Sequence, residues 1–140
     1  MTSAITRTFL QLRYVLLPAP AELAEWLSGL SRIENLTDEP HHFTVLPDGY
    51  VKLISIRTPG QSPQLLLSGL WTRAHPVTVP AHVTLTGVQF KLLAAEHLFP
   101  TPLPLNAACP LPEDSWLSNV LPSQDLPTLA QHLAAHLAPV

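Results

Sequence analysis

Alternating apolar and polar residues predict β-strands along most of the first hundred positions. The clearest case is the segment 43–57, FTVLPDGYVKLISIR, in which β-branched and aromatic residues flank Pro47, Asp48 and Gly49. Proline fixes φ at the first corner, aspartate can bond its own backbone, and glycine accepts the positive φ that reverses the chain. We therefore predict a β-hairpin at 43–57, with Pro47, Asp48 and Gly49 as its structural turn, around which the other strands are arranged.

Further strands are predicted on both sides of this hairpin. The segments concerned are 5–17, 30–36, 64–71, 77–79 and 83–90. Along 83–90, alternation puts Val83, Leu85, Gly87 and Gln89 on one face. If this face points inward, Gln89 is a polar group beside a gap at Gly87. Short strands at regular spacing favour a small antiparallel β-barrel or sandwich over βαβ units.

Helical spacing occurs at three places. One apolar face near Pro20 comprises Leu23, Trp26, Leu27 and Leu30, and we expect that helix to end at Gly29. A short helix is predicted over 92–99, before Pro100. A third begins near Gln124, with Pro127 in its first turn and an apolar stripe of Leu126, Leu129, Leu133 and Leu137. The predicted fold class is therefore α+β, a barrel or sandwich with two or three flanking helices.

The chain length of 140 residues predicts a single domain, 1–140. Its strand-rich body covers about 1–99. A connection over 100–112 contains five prolines, which stop helices and cannot donate to a sheet. A helical segment follows over 113–140, with a helical turn predicted at 114–120.

Charged residues are scarce, at 12% of the chain against 46% hydrophobic residues. We infer that some surface is covered, by a second copy or by another protein, and the stripe Leu126, Leu129, Leu133, Leu137 is the predicted contact. The net charge is −3 and the seven Lys and Arg residues are scattered, which argues against direct nucleic-acid binding. No apolar run is long enough to span a membrane and no signal peptide is evident, so we expect a cytoplasmic location.

Motifs for catalysis or metal binding are weak. His132 and His136 are four residues apart, but Leu133 stands where a metalloprotease helix has glutamate. No Gly-x-Ser-x-Gly elbow and no phosphate-binding glycine loop occur, and the single cysteine, Cys109, cannot form an intrachain disulfide. We therefore expect no catalytic residues, no metal and no cofactor, and an enzyme is the weaker hypothesis.

Three blocks taken together resemble the N-terminal, non-DNA-binding domain of AraC-type transcription regulators. Tyr14 and Pro18 precede Leu23 with the family's spacing. The turn 46–49, Leu-Pro-Asp-Gly, leads into a strand. The run 87–91, Gly-Val-Gln-Phe-Lys, leads into a helix. The chain departs from the family at 92–93, where Leu-Leu stands in place of Pro-Gly-Gly, and it carries no helix-turn-helix domain over its 140 residues.

This resemblance implies a non-enzymatic module for ligand sensing or protein interaction. A cupin-like barrel of this kind can hold a small hydrophobic ligand among its inward side chains. Trp71, Arg73 and Gln89 are the candidate ligand-binding residues, since they offer a flat ring, a fixed charge and an amide. The alternatives are a small β-barrel enzyme or metabolite-binding cupin-like protein, and a structural partner that dimerises through its last helix.

Overall fold

The computed structural model describes residues 5–9, 12–99, 103–111 and 125–137. It confirms the predicted α+β class, with antiparallel strand pairing throughout the main sheet. In chain order the strands are β1 (Ile5–Phe9), β2 (Leu12–Pro18), β3 (Leu27–Asn35), β4 (His41–Val45), β5 (Val51–Arg57), β6 (Gln64–Ser68), β7 (His75–Val79), β8 (Thr84–Phe90) and β9 (Ala108–Pro110).

Seven strands form one sheet in the order β1-β2-β3-β8-β5-β6-β9, and β4 and β7 form a separate two-stranded ribbon. Over the described residues, β1 and β9 are the two edges of the larger sheet, so the sheet is open and the barrel alternative is wrong. Strand β9 lies in the segment 100–112, where we predicted only an extended connection. Its three residues pair with β6 and extend the sheet edge.

The predicted hairpin at 43–57 is also wrong. Strand β4 pairs with β7, whereas β5 pairs with β6 and β8, so the two strands belong to different sheets. The turn chemistry is nevertheless present: Gly49 has φ +78°, and the Tyr50 N–H donates to Asp48 Oδ1 at 3.0 Å. Strand β5 buries Val51 and Leu53 completely and suits the sheet interior, while β4 exposes alternate residues and suits an outer ribbon.

The helix predicted from Pro20 to Gly29 is a single 3-10 turn, Ala21–Leu23, followed by β3. Leu27 and Leu30 are both buried, although they are three positions apart and would point to opposite faces of a regular strand. The pairing of β3 with β8 shifts register between Leu27 and Gly29, and such a bulge puts both leucines on the same face of the strand. The helix-like spacing of Leu27 and Leu30 therefore reflects a bulge in a β-strand.

Two helices cover one face of the sheet: α1 (Leu92–Leu98) and α2 (Leu126–Leu137). Asp125 caps α2, because its Oδ1 accepts the Thr128 N–H at 2.8 Å, and Pro127 lies in the first turn as predicted. The helical turn predicted at 114–120 lies outside the described residues.

The apolar stripe of α2 is enclosed by the chain's own sheet. Leu126, Leu129, Leu133 and Leu137 are at most 5% exposed and share one core with the inward side chains of β3, β5 and β8. Side chains buried in this way cannot contact a partner in the same fold. The prediction of an intermolecular contact through these four leucines is therefore replaced by an intramolecular role.

Among the described residues, the ribbon of β4 and β7 covers part of the opposite face of the sheet. Asn35, at the end of β3, joins the two: its Nδ2 donates to the carbonyl oxygens of Val79 at 3.0 Å and Pro80 at 3.2 Å. Asn35 is 1% exposed and also bonds Thr37 and Glu39 in the following loop. These hydrogen bonds hold the Val79 end of the ribbon against the sheet. A space remains between the rest of the ribbon and the sheet.

No helix in the described part of the chain is long and apolar enough to cross a membrane.

Candidate ligand-binding cleft

A cleft of about 250 Å³ lies between the ribbon and the uncovered face of the sheet. Its floor is formed by outward side chains of five strands: Tyr14, Ser31, Ile33, Lys52, Ile54, Ser68, Leu85, Gly87 and Gln89. Its roof is formed by the ribbon: Phe43, Thr44, Val45, His75 and Val77. Pockets for small molecules commonly measure roughly 300–1,000 Å³, so this cleft lies just below that range and suits only a small ligand.

Sheet register gives the floor an apolar end and a polar end. At one end Ile33 lies beside Leu85, and Tyr14 lies beside Ile33. At the other end Gln89 lies beside Lys52, which lies beside Ser68. The roof also has an apolar end and a more polar end. Phe43 pairs with Val77 at the apolar end, and Val45 pairs with His75 at the polar end. A ligand with one apolar end and one polar end would match both surfaces.

Two interactions fix the polar floor residues. The Ser28 hydroxyl donates to Gln89 Oε1 at 3.0 Å, so the amide nitrogen is the group that Gln89 retains for a ligand. Lys52 Nζ lies 2.8 Å from Asp48 Oδ2, and these side chains are 20% and 35% exposed. The Asp48 carboxylate thus neutralises the charge of the Lys52 side chain, which lines the cleft.

His75, Ser68 and Trp71 form the corner between β6 and β7. The Trp71 ring stacks on the His75 ring, with centroids 3.6 Å apart and planes inclined by 15°. Trp71 Nε1–H also donates to Ser68 Oγ at 3.0 Å, so one indole orients two cleft side chains. Because Ser68 Oγ accepts this bond, its own hydrogen remains available to donate.

His75 Nδ1 is buried and has no hydrogen-bond partner within the part of the chain that the structure describes. Leaving such a group unpaired costs about 1–3 kcal/mol, and buried polar atoms in native proteins nearly always have partners. Burial lowers the pKa of His75 below its ordinary 6.5, with a further lowering by the Lys52 charge and a smaller opposite effect of Asp48. The imidazole is therefore neutral at pH 7.

Gly87 keeps the middle of the floor open. It lies between Ser31 of β3 and Ile54 of β5 in the sheet register. A Cβ built on Gly87 would approach only the Ser31 Oγ, at 3.1 Å, and that hydroxyl lies at the end of a rotatable side chain. Larger side chains at this position would therefore extend into the cleft while the backbone remained undisturbed.

The three residues suggested by the sequence occupy different places. Gln89 lines the cleft, together with Leu85 and Gly87 from the same strand face. Trp71 lies behind the cleft wall, against Ser68 and His75. Arg73 is exposed and is not among the lining residues. The structure thus brings Gln89 to the cleft and Trp71 next to it, and leaves Arg73 apart.

Sequence reasoning missed His75, Ser68 and Lys52 as cleft residues. The strand containing His75 was predicted to begin at 77, although alternation with Val77 could have placed both residues on one face. Lys52 alternates with Ile54 in the same way. Among the described residues, no three His, Cys, Asp or Glu side chains are grouped so that they could hold a metal ion.

Comparison with known proteins gives one match. No curated protein and no solved structure is significantly similar to the chain. A family model described as a domain of unknown function, DUF6597, matches residues 15–107, which include the end of β2, the other four strands of the cleft floor and the whole ribbon. Because that match covers more than half of the 140 residues, the chain belongs to the DUF6597 family.

Proposed function

We propose that this chain is a non-enzymatic ligand-sensing module, related to the sensor half of an AraC-type transcription regulator. The observation that carries the proposal is the cleft between ribbon and sheet, which combines an apolar end with a few convergent polar groups. Such a composition is typical of small-molecule sites. The proposal assigns the domain to the cytoplasm, where a transcription regulator acts.

The blocks that resemble AraC-type regulators support this proposal by their position. Tyr14 from the first block and Gly87 and Gln89 from the third line the cleft. The second block, the turn at 46–49, leads directly to Lys52 and contains its ion-pair partner Asp48. Each block thus supplies at least one residue that lines the cleft or pairs with a lining residue.

The covering ribbon supports a sensing role. It belongs to a separate sheet, and Asn35 bonds it to the main sheet near Val79, at the end of β7 distant from His75. A ligand in the cleft would contact ribbon and floor together, and its binding energy would favour the arrangement in which both are in place. Ligand occupancy would then change the surface that the ribbon presents to another domain.

The test uses the 140-residue chain with Gly87→Leu. We expect the variant to fold, since only the Ser31 hydroxyl must rotate, and to lose binding because the leucine fills the centre of the cleft. Binding is measured by amide chemical shifts during titration with a library of monocyclic fragments. The matched control is Ala135→Leu, which adds the same side chain on the exposed face of α2 and should bind as the parent does.

Two outcomes would contradict the proposal. Fragments that perturb only amides away from β3, β5, β8 and the ribbon would exclude the cleft as the ligand site. Equal binding by the parent chain and Gly87→Leu would do the same. Recovery of chemically converted fragments after incubation would favour the enzyme alternative, whereas a sensor returns its ligand unchanged.

A further inference from the structure

The polar end of the cleft contains an unsatisfied hydrogen-bonding set that indicates which molecules fit it. His75 lines the cleft, but its Nδ1 is closed to solvent in the free chain and has no partner among the described residues, so a ligand reaches this atom only when the imidazole ring turns toward the cleft. Ser68 retains a donor hydrogen, and Gln89 retains its amide nitrogen. Ser68 and Gln89 offer donors, and a neutral imidazole offers Nδ1 as an acceptor or a donor according to its tautomer. A head group that both donates and accepts would satisfy all three.

Charge compensation at this end favours an uncharged head. Lys52 is the cationic side chain among the lining residues, and Asp48 already pairs with it at 2.8 Å. A carboxylate or an ammonium group would add a net charge beside that neutral pair and beside a neutral His75. Burying a charge without a counter-ion is costly in such surroundings.

The apolar end limits the size and shape of the rest of the ligand. Ile33, Leu85, Phe43 and Val77 enclose it. The cleft volume is about 250 Å³, and an apolar cavity of about 150 Å³ is enough to hold benzene. One ring or a branched chain with a short substituent would therefore fill the space.

Resting on the proposed sensing function, we propose that the cleft takes a small, uncharged, amphiphilic molecule whose hydroxyl or primary amide bonds His75 Nδ1, with a single ring or branched chain at the apolar end. His75 is then the residue that selects the head group. Trp71 is a positioning residue, because it stacks on the imidazole and bonds Ser68 without lining the cleft.

The experiment compares four probes of nearly equal shape: benzamide, benzoate, benzylammonium and toluene. Their affinities for the 140-residue chain are measured by calorimetry and by amide shifts at pH 7.5. Benzamide should bind roughly 5–10-fold more tightly than the other three, since it alone is neutral and both donates and accepts. The perturbed amides should include those of residues 68, 75 and 89.

Two substitutions separate the His75 bond from its packing. His75→Phe keeps a flat ring against Trp71 and removes Nδ1; benzamide should weaken roughly 3–10-fold while toluene is unchanged or binds more tightly. The free His75→Phe variant should melt at a higher temperature than the parent, because the unpaired buried nitrogen is gone. His75→Asn supplies a polar atom near the position of Nδ1 and should restore part of the benzamide affinity.

The outcomes distinguish this inference from the proposed function. Benzoate or benzylammonium binding most tightly in the cleft, and lost in Gly87→Leu, would leave the sensor function standing and overturn the uncharged head. Equal loss of benzamide and toluene in His75→Phe would mean that His75 only packs. An unchanged benzamide affinity in that variant would mean that the ligand does not bond Nδ1, and both results overturn the role of His75. If none of the four probes binds, the proposed ligand class is overturned. The sensing function is tested separately, by the titration with the fragment library.

Discussion

The two faces of the seven-stranded sheet are built from the same strands but have different coverings. On the helix face, Val88 and Phe90 of β8 are fully buried under α1 and α2. On the cleft face, Leu85, Gly87 and Gln89 of the same strand are only half-buried beneath the ribbon. One strand thus contributes both to a close-packed core and to a partly open site.

This difference separates stability from function along one strand. Beneath the helices this face contains aliphatic and aromatic side chains, which stabilise the fold by removing apolar surface from water. The same face continues, at the other end of the strands, into the polar side chains of Arg32, Ser55 and Thr86. The cleft face retains polar groups, including a buried nitrogen without a described partner, that contribute little to stability or reduce it. Polar groups whose burial is unfavourable in the free protein are those expected to be stabilised by hydrogen bonds to a ligand.

The largest contrast should appear when a leucine is shortened on each face. Leu133 is 0% exposed in the core beneath α2, so Leu133→Ala should lower the free energy of unfolding by about 2–5 kcal/mol. Leu85→Ala, on the half-open cleft face, should cost about 1 kcal/mol, because water can enter the space that it leaves. Urea denaturation of both variants tests this, and equal losses would contradict the distinction between the faces.

A smaller effect is expected at the joint between the ribbon and the sheet. Asn35→Ala removes the amide that bonds Val79 and Pro80, leaves their carbonyls without this donor, and should cost about 2–3 kcal/mol. We also expect the amide shifts of β4 and β7 to change, since the ribbon loses its attachment.

Thr37→Val is the matched control for that joint. It removes a hydroxyl that bonds Asn35 within the loop but leaves the Asn35 bonds to β7 in place, so about 1 kcal/mol should be lost. The ribbon amides should keep their shifts in this variant. Ribbon changes as large as those of Asn35→Ala would show that the loop as a whole, rather than the amide of Asn35, holds the ribbon.

The smallest effect should be a pH dependence that originates on the cleft face. The pKa of His75 in the folded chain lies below 6.5, chiefly through burial and also through the Lys52 charge, with Asp48 acting in the opposite direction. As the pH falls from 6.5 through the folded-state pKa, the unfolded chain binds more protons than the folded chain. Stability is therefore lost in this window, and the His75 contribution is constant above it.

The variants His75→Phe and His75→Asn should lack this component. Relative to the parent chain, both should gain stability as the pH is lowered from 7.5 to 5, and by similar amounts, because neither side chain titrates. Thermal denaturation across this range measures the difference. A constant difference between parent and variants at all pH values would contradict the lowered pKa.

Much of the cleft floor could be predicted from the sequence, but its roof could not. Alternation along 83–90 correctly grouped Leu85, Gly87 and Gln89, because side chains of a strand alternate between faces whatever its neighbours are. Val83, which was predicted on the same face, is buried just before β8 and is not among the lining residues. The pairing of β4 with β7 was missed because a local turn signal at 47–49 suggested the adjacent strand as partner. His75 entered the site only through that long-range pairing.

The sequence by itself determined the α+β class, the short helix near 92–99, and the last helix with its apolar stripe, because period and end signals act locally. It also determined the turn chemistry at Asp48 and Gly49. Only the tertiary structure decided which strands pair, that the leucines of α2 face their own sheet, and that His75 lies over Lys52 and Ser68. These outcomes depend on which surfaces remain to be buried once the distant segments have come together.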